Sequence, residues 1–233
     1  MSIKKSLKEN DNIVAIIPSY NEEKNIKKVI KNCKKYVHKI IVIDDGSTDN
    51  TFQVIQNMDV ITIRNIENRG KTEAIKRGFK RGVKEGAYIF VLLDADGQHD
   101  PAEIPIFLKK IRDGFDLIIG ARKFERKKMP LLRILANSIS SYLVSQICGI
   151  KIRDSQSGYR VLRKEIVEKI TLTSNRFQVD TEMLIKAARC GFKIGFVPIE
   201  TIYHYEAKSK VNQIIDPLKF VILLIKLVFW RCK

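Results

Sequence analysis

Val91-Leu92-Leu93-Asp94-Ala95-Asp96-Gly97-Gln98-His99-Asp100-Pro101 is the stretch on which the fold turns. An apolar run stops abruptly at two carboxylates spaced i and i+2, with an amide two positions further on. Side chains alternate along a strand, so if the run is one, Asp94, Asp96 and Gln98 project from a single face at its end. Three oxygen donors of this kind suit a hard divalent cation, Mg²⁺ or Mn²⁺, held against a phosphate. An isolated Asp-x-Asp is more often a solvated turn, so the neighbouring segments must decide.

Working outward, the first half alternates strand and helix signals. Ile13–Pro18, Lys39–Asp44, Val60–Arg64, Ala87–Leu93 and Asp116–Gly120 are short, apolar, mostly β-branched runs. Between them, Glu22–Lys35 places Ile26, Val29, Ile30 and Cys33 at helical spacing. A helix follows Asp49, which is placed to cap it, and carries Phe52, Ile55 and Gln56. Gly70–Lys84 and Pro101–Arg112 are also helical. This regular alternation predicts an α/β fold with a mostly parallel sheet covered on both faces. Ligands bind such sheets at the carboxyl ends of the strands. Ser19–Glu22, Asp44–Ser47 and Asp94–Gln98 all fall there, and their shared position outweighs any one of them.

The net charge of +17 points to an anionic partner: nucleic acid, anionic lipid or phosphorylated small molecules. Ten lysines precede residue 40, on segments that read as solvated faces. The cysteines, Cys33, Cys148, Cys190 and Cys232, are scattered without zinc spacing, so a reduced, cytosolic setting is the expectation. The opening MSIKKSLKENDN lacks the apolar core of a signal peptide. No Gly-x-Gly-x-x-Gly fingerprint or Walker loop is present, so phosphate chemistry would fall to metal and basic side chains.

The second half is less regular. Residues 121–133 hold six basic side chains against one acid, Glu125. Leu131–Ile147 then repeats Leu132, Leu135, Ile139, Leu143 and Ile147 as an amphipathic helix, open to a core or a membrane-surface reading. Ser157–Leu162 and Phe192–Pro198 read as strands and Asp180–Cys190 as a helix. Asp216-Pro217 starts a last helix, with a capping side chain and proline at the first position. Leu218–Trp230 holds eleven apolar residues and two lysines, Lys219 and Lys226. At ~1.5 Å per residue the run spans roughly 20 Å, short of the ~30 Å hydrocarbon core. It is therefore expected to lie in the membrane interface, lysines snorkelling and Trp230 at headgroup level, or else to pack on the domain or a second subunit.

Taken together, Ile16-Ile17-Pro18-Ser19-Tyr20-Asn21-Glu22-Glu23, Val42-Ile43-Asp44-Asp45-Gly46-Ser47-Thr48-Asp49, Asn68-Arg69-Gly70-Lys71, Asp94-Ala95-Asp96-Gly97-Gln98-His99, Asp154-Ser155-Gln156-Ser157-Gly158-Tyr159-Arg160 and Phe177-Gln178-Val179-Asp180-Thr181-Glu182-Met183 resemble the family 2 inverting glycosyltransferases of the GT-A fold. The closest subgroup is the polyprenyl-phosphate (dolichol-phosphate) mannosyl- and glucosyltransferases. The resemblance covers about residues 12–210. It implies a GT-A domain over 1–210, with a nucleotide-sugar half at about 12–120, an acceptor half at about 121–210, and an apolar membrane-interface helix at 211–233.

By the same resemblance, Pro18, Tyr20, Glu22, Ile43, Asp45, Lys71, Asp94, Ala95 and Lys210 meet a nucleoside-diphosphate sugar of the GDP-mannose or UDP-glucose type. Tyr20 offers a flat apolar surface to a base, and Glu22 and Asp45 can accept hydrogen bonds from base or ribose. Asp94, Asp96 and Gln98 would hold Mg²⁺ or Mn²⁺ on the diphosphate, and Arg122 and Arg133 would meet the acceptor's phosphate. A phosphate acceptor needs no general base, its second ionisation lying near ~6. A hydroxyl acceptor would need one, and Asp154 or Glu182 are the candidates unless they are structural. His204 stands where the family often carries an arginine.

These implications add up to hexose transfer to a polyprenyl phosphate at the cytoplasmic face of a membrane, by a peripheral or monotopic enzyme of undetermined oligomeric state. The competing readings are the same fold acting on a hydroxyl of a glycan or lipid, a basic nucleic-acid-binding protein, and a non-catalytic relative. With only Phe124 interleaved among the basic residues at 122–133, base stacking has little support, and nucleic acid is not expected as a partner.

Overall fold

The computed structural model describes residues 12–122, 131–174, 178–200, 202 and 215–232. Seven strands form one sheet: β1 (Ile13–Ser19), β2 (Lys39–Asp44), β3 (Ile61–Arg64), β4 (Ile89–Leu92), β5 (Leu117–Arg122), β6 (Arg160–Arg163) and β7 (Ile194–Ile199), in the order β3-β2-β1-β4-β6-β5-β7. Every pairing is parallel except those of β6, which runs antiparallel between β4 and β5 with Arg160 opposite both Leu92 and Ile119. The segment expected as a strand at Ser157–Leu162 thus begins later, at Arg160, and runs against its neighbours.

The strands are buried on both faces, which explains their near-continuous apolar sequences. Along β1, Ile13, Ala15 and Ile17 pack into one core layer and Val14 and Ile16 into the other; β4 splits Ile89 and Val91 from Phe90 and Leu92 in the same way. Helices α1 (Ile26–Cys33), α2 (Thr51–Gln56) and α4 (Ile104–Arg112) cover the first face. The second face is covered by α3 (Lys71–Lys84), α5 (Leu131–Cys148), α6 (Lys164–Lys169), α7 (Val179–Arg189) and α8 (Ile215–Phe229). The cap position of α2 is Asn50, one residue later than expected; Asp49 stands just outside it, its carboxylate accepting from the Thr51 N–H at 2.9 Å. The two-turn α6 was not foreseen; only Ile166 anchors it in the core.

Three features of the second half resolve or correct the sequence reading. First, α5 reaches the core through Val144 and Ile147 but turns much of its apolar surface outward. Asn137, Ser140 and Ser141 are buried, while Leu135, Ile139, Tyr142 and Leu143 are 56%, 51%, 64% and 39% exposed. Its inward serines bind the following loop: Ser141 Oγ accepts from the Ser155 N–H (3.1 Å) and Ser145 Oγ from the Ile152 N–H (2.9 Å). Second, α8 packs on the domain through Leu223, Leu224 and Leu227, yet leaves Leu218, Val221, Ile222, Ile225, Val228 and Phe229 exposed. Trp230 does not reach outward to a headgroup layer. It turns inward against the core, its ring 5.2 Å from Lys186 Nζ and its carbonyl accepting from Arg189 Nη1 at 2.7 Å. Third, the cysteines are not all unpaired, because Cys190 and Cys232 form a disulfide that ties the end of α8 to the end of α7. Cys33 and Cys148 are free. Among the described residues, no helix is long and apolar enough to cross a membrane.

Candidate active site

The carboxyl ends of β1, β2 and β4 form one rim, and the first two loops on it are laced together. The Asn21 N–H donates to Ser47 Oγ (3.0 Å) and the Thr48 N–H to Asn21 Oδ1 (2.9 Å). The Glu22 N–H donates to Thr51 Oγ1 (2.8 Å) and the Asn50 N–H to Glu23 Oε2 (3.0 Å). Asn21 sits at φ 54°, a left-handed conformation that asparagine tolerates. Gly46, at φ +72°, lies so close to the next loop that a Cβ would stand 2.6 Å from the Glu67 carbonyl carbon. Pro18, Tyr20 and Glu22 are half-buried beside this seam.

Two residues expected on the nucleotide have other tasks. Asp45 accepts from Asn65 Nδ2 (2.6 Å), the Arg69 N–H (3.0 Å) and the Gly70 N–H (2.7 Å), pinning the loop that delivers α3. Ile43 is fully buried in the core, so its side chain offers no surface to a base.

That pinned loop brings Lys71 to the centre of the site. Its Nζ lies 2.7 Å from Asp94 Oδ1 and 3.1 Å from Asp180 Oδ2. Gly158 closes over the pair, where a Cβ would be 2.5 Å from Asp94 Oδ2 and 2.8 Å from Lys71 Nζ. Ala95 is buried. The Asp96 carboxylate accepts from the Gln98 N–H at 3.0 Å. His99 is buried, accepts from the Asp94 N–H through Nδ1 (3.3 Å) and stacks on Tyr159.

The charges follow from this packing. Burial opposes ionisation of Asp94, but the Lys71 ammonium and, more weakly, the Arg122 guanidinium hold its carboxyl below the usual range. Burial, and then the Asp94 charge beside it, push Asp96 up to about 6. Burial takes the His99 imidazole down to about 4, so it is neutral, as an accepting Nδ1 requires.

Among the described residues there is no group of three His, Cys, Asp or Glu side chains placed to hold a metal, and no Lys or Arg forms an ion pair with Asp96. The expected donors are two carboxylates and one amide. They are hard oxygens carrying negative charge that the protein leaves partly uncompensated at Asp96, a chemistry that fits Mg²⁺ or Mn²⁺.

On the other side of the site, Asp154 grips Arg122 through two bonds, Nε to Oδ2 (2.7 Å) and Nη2 to Oδ1 (3.0 Å). The Gln156 N–H takes a further place on Oδ1 (3.1 Å). Asp154 is therefore the partner that aims the Arg122 fork, not a free base. Glu182 is no base either. It is fully buried, accepts from the Thr173 N–H, Thr173 Oγ1 and the Ser174 N–H, and pairs with Lys186 at 2.6 Å. Arg133 belongs to α5, but its side chain, like Lys210 and His204, lies outside the described residues. Sequence reasoning gave no role to Asp180, Arg160 or His99. All three lie within the motifs, and only the folded chain shows that Asp180 meets Lys71 and that Arg160 backs Asp180.

A strand-end carboxylate pair, a buried lysine and a clamped arginine on one rim of this sheet define a glycosyltransferase of the GT-A type. Residues 14–171 match the sequence profile of Glycosyl transferase family 2, and the chain belongs to that family. It is 33% identical to the UDP-N-acetylglucosamine--dolichyl-phosphate N-acetylglucosaminyltransferase of Methanococcus voltae, over 92% of this chain and 95% of that one. It is 32% identical to the dolichol-phosphate mannosyltransferase of Pyrococcus furiosus, over 92% of this chain and 64% of that one. Glucosyl-3-phosphoglycerate synthase from Mycobacterium tuberculosis, solved with Mn²⁺, UDP and phosphoglyceric acid, shares the fold at a TM-score of 0.72. That alignment has 19% identity and covers 94% of this chain and 79% of that one.

Proposed function

We propose that this glycosyltransferase moves a sugar, with inversion, from a nucleoside-diphosphate sugar to a polyprenyl (dolichyl) phosphate, working peripherally at the cytoplasmic face of a membrane. The observation that carries the reading is the junction of Arg122 and α5. A guanidinium held by a bidentate carboxylate stands at the end of β5, and the next helix turns Leu135, Ile139 and Leu143 outward and Ser140 and Ser141 inward. The fork itself is spent on Asp154, but a guanidinium charge fixed in place suits a phosphate, and an outward apolar face suits the lipid that carries it. The exposed apolar side of α8 extends the same character. Two relatives whose names give dolichyl phosphate as acceptor support the choice.

The donor is proposed to lie along the laced loops, its base at Tyr20 and its diphosphate toward Asp94, Asp96, Gln98 and Lys71. A divalent cation there, Mg²⁺ or Mn²⁺, would neutralise charge on the departing nucleoside diphosphate. Lys71 adds a fixed positive charge to the same end of the site. Arg122, steadied by Asp154, draws in the acceptor phosphate, which would otherwise meet the donor as one anion meets another. Asp154 and Glu182, the carboxylates considered for deprotonating an acceptor, are both committed to other partners. A phosphate acceptor, already ionised near neutral pH, needs none.

Radiolabelled transfer from a panel containing GDP-mannose, UDP-glucose and UDP-N-acetylglucosamine, with and without polyprenyl phosphate, tests the reading. Label should enter lipid only when polyprenyl phosphate is present. It should be lost in Asp96→Ala and on EDTA treatment until Mg²⁺ or Mn²⁺ is restored. Transfer to a soluble sugar alone overturns the acceptor, and a fully active Asp96→Ala overturns the cation site.

A further inference from the structure

Lys71 is a paradox for a cation site. An ammonium 2.7 Å from Asp94 competes for the same carboxylate that a divalent ion would need. The structure shows what offsets it. Asp180, at the start of α7, takes the other side of the same ammonium at 3.1 Å. Asp180 is 3% exposed and is held from behind by Arg160, which is fully buried. Arg160 Nε lies 3.7 Å from Asp180 Oδ1, and its remaining nitrogens donate to the carbonyls of Asp180 (2.5 Å) and Ser155 (3.2 Å). The absence of a side chain at Gly158 lets Lys71 and Asp94 approach this closely without being displaced.

We propose that Asp180 is a positioning residue for the cation site: by sharing the Lys71 ammonium with Asp94, it keeps that lysine from neutralising Asp94 and leaves the Asp94/Asp96 pair able to take a divalent ion. The inference rests on the proposed cation dependence and adds to it a residue that touches neither substrate nor metal. Arg160 anchors Asp180, and Asp180 sets how much of the Lys71 charge falls on Asp94. Without the Asp180 charge, Lys71 pairs with Asp94 alone and the site as a whole becomes one unit more positive.

Mn²⁺ titration by calorimetry, on the full chain without nucleotide, tests this independently of turnover. Asp180→Asn should weaken Mn²⁺ binding on the order of tenfold, as expected for one unit charge a few ångström away in a partly buried site. Lys71→Met should tighten it severalfold. The double variant should return close to the wild-type value, a rescue that a merely structural role for Asp180 would not give. Circular dichroism checks that each variant is folded; if Asp180→Asn is not, Lys71→Met alone decides. Unchanged binding in Lys71→Met, or a double variant as weak as Asp180→Asn, overturns the inference while the cation reading stands. A wild-type protein that binds no Mn²⁺ removes the cation reading and this inference with it.

Discussion

At the scale of single residues, the site works by commitment: nearly every charged group is spoken for by another. Arg122 has its direction set by Asp154, so the value of Asp154 lies in geometry and not in proton transfer. Asp154→Asn keeps the size but loses the charge-assisted fork, and transfer should slow by roughly tenfold or more with a raised KM for polyprenyl phosphate. Arg122→Lys should not substitute, since an ammonium cannot present two parallel donors. Steady-state kinetics in the lipid acceptor checks both. These pairings also show where sequence stops informing. Asp94 and Asp96 are visible as candidates because their residue types and strand-end positions suggest chemistry, and Arg122 and Asp154 because they fall in segments that resemble the family. Which acid serves which base is not visible, because Asp154 lies 32 residues from Arg122 and Asp180 109 from Lys71. Asp45 illustrates the same limit: its type fits a ribose contact, but its oxygens meet the loop ahead of α3.

At the scale of elements, periodicity placed the strands of the first half to within a residue or two, because burial on both faces leaves an unmistakable apolar run. It could not orient β6, since direction is set by pairing and a short apolar run reads alike both ways. It also left α5 open, because an amphipathic helix states that it has two faces without saying which one is inside. The serines answer that, and only the loop they bind makes the answer legible. Helix α7 holds its neighbours through the buried Glu182–Lys186 pair. Burial opposes ionisation of Glu182, but Lys186 and the hydrogen bonds from Ser174 and Thr173 outweigh it and hold the carboxyl below its ordinary range. A carboxyl lowered on folding adds stability above the unfolded value of about 4.3, and that stability is lost as pH falls through the folded one. Glu182→Gln strands a buried ammonium and should cost about 3 kcal/mol, a fall in Tm of roughly 6–12 °C. Its Tm should also depend less on pH in the acid range than the wild type's. Calorimetric scans from neutral pH downward check both effects.

At the scale of the whole molecule, the polar rim and the outward apolar faces of α5 and α8 belong to one chain with a net charge of +17. Exposed leucines cost little to replace if they serve only a surface. Leu135→Glu and Ile139→Glu should each leave stability within about 0.5 kcal/mol of wild type while reducing sedimentation with vesicles containing anionic lipid. Undiminished sedimentation of the double variant would place the contact elsewhere, with α8 the next face to alter. The reversed strand β6 has a further consequence for how such a molecule changes over time. The chain leaves the sheet at Arg122 and rejoins it at Arg160 on the same rim, with Ile119 and Arg160 side by side. Everything between is a detour whose two feet stand together, so its length and content are unconstrained by strand order. Under the proposed function that detour handles the acceptor, while the donor lies against the laced loops outside it. The detour can therefore vary in length without disturbing the sheet, but its last turn cannot, because Gly158 must still lie against Asp94 and Lys71.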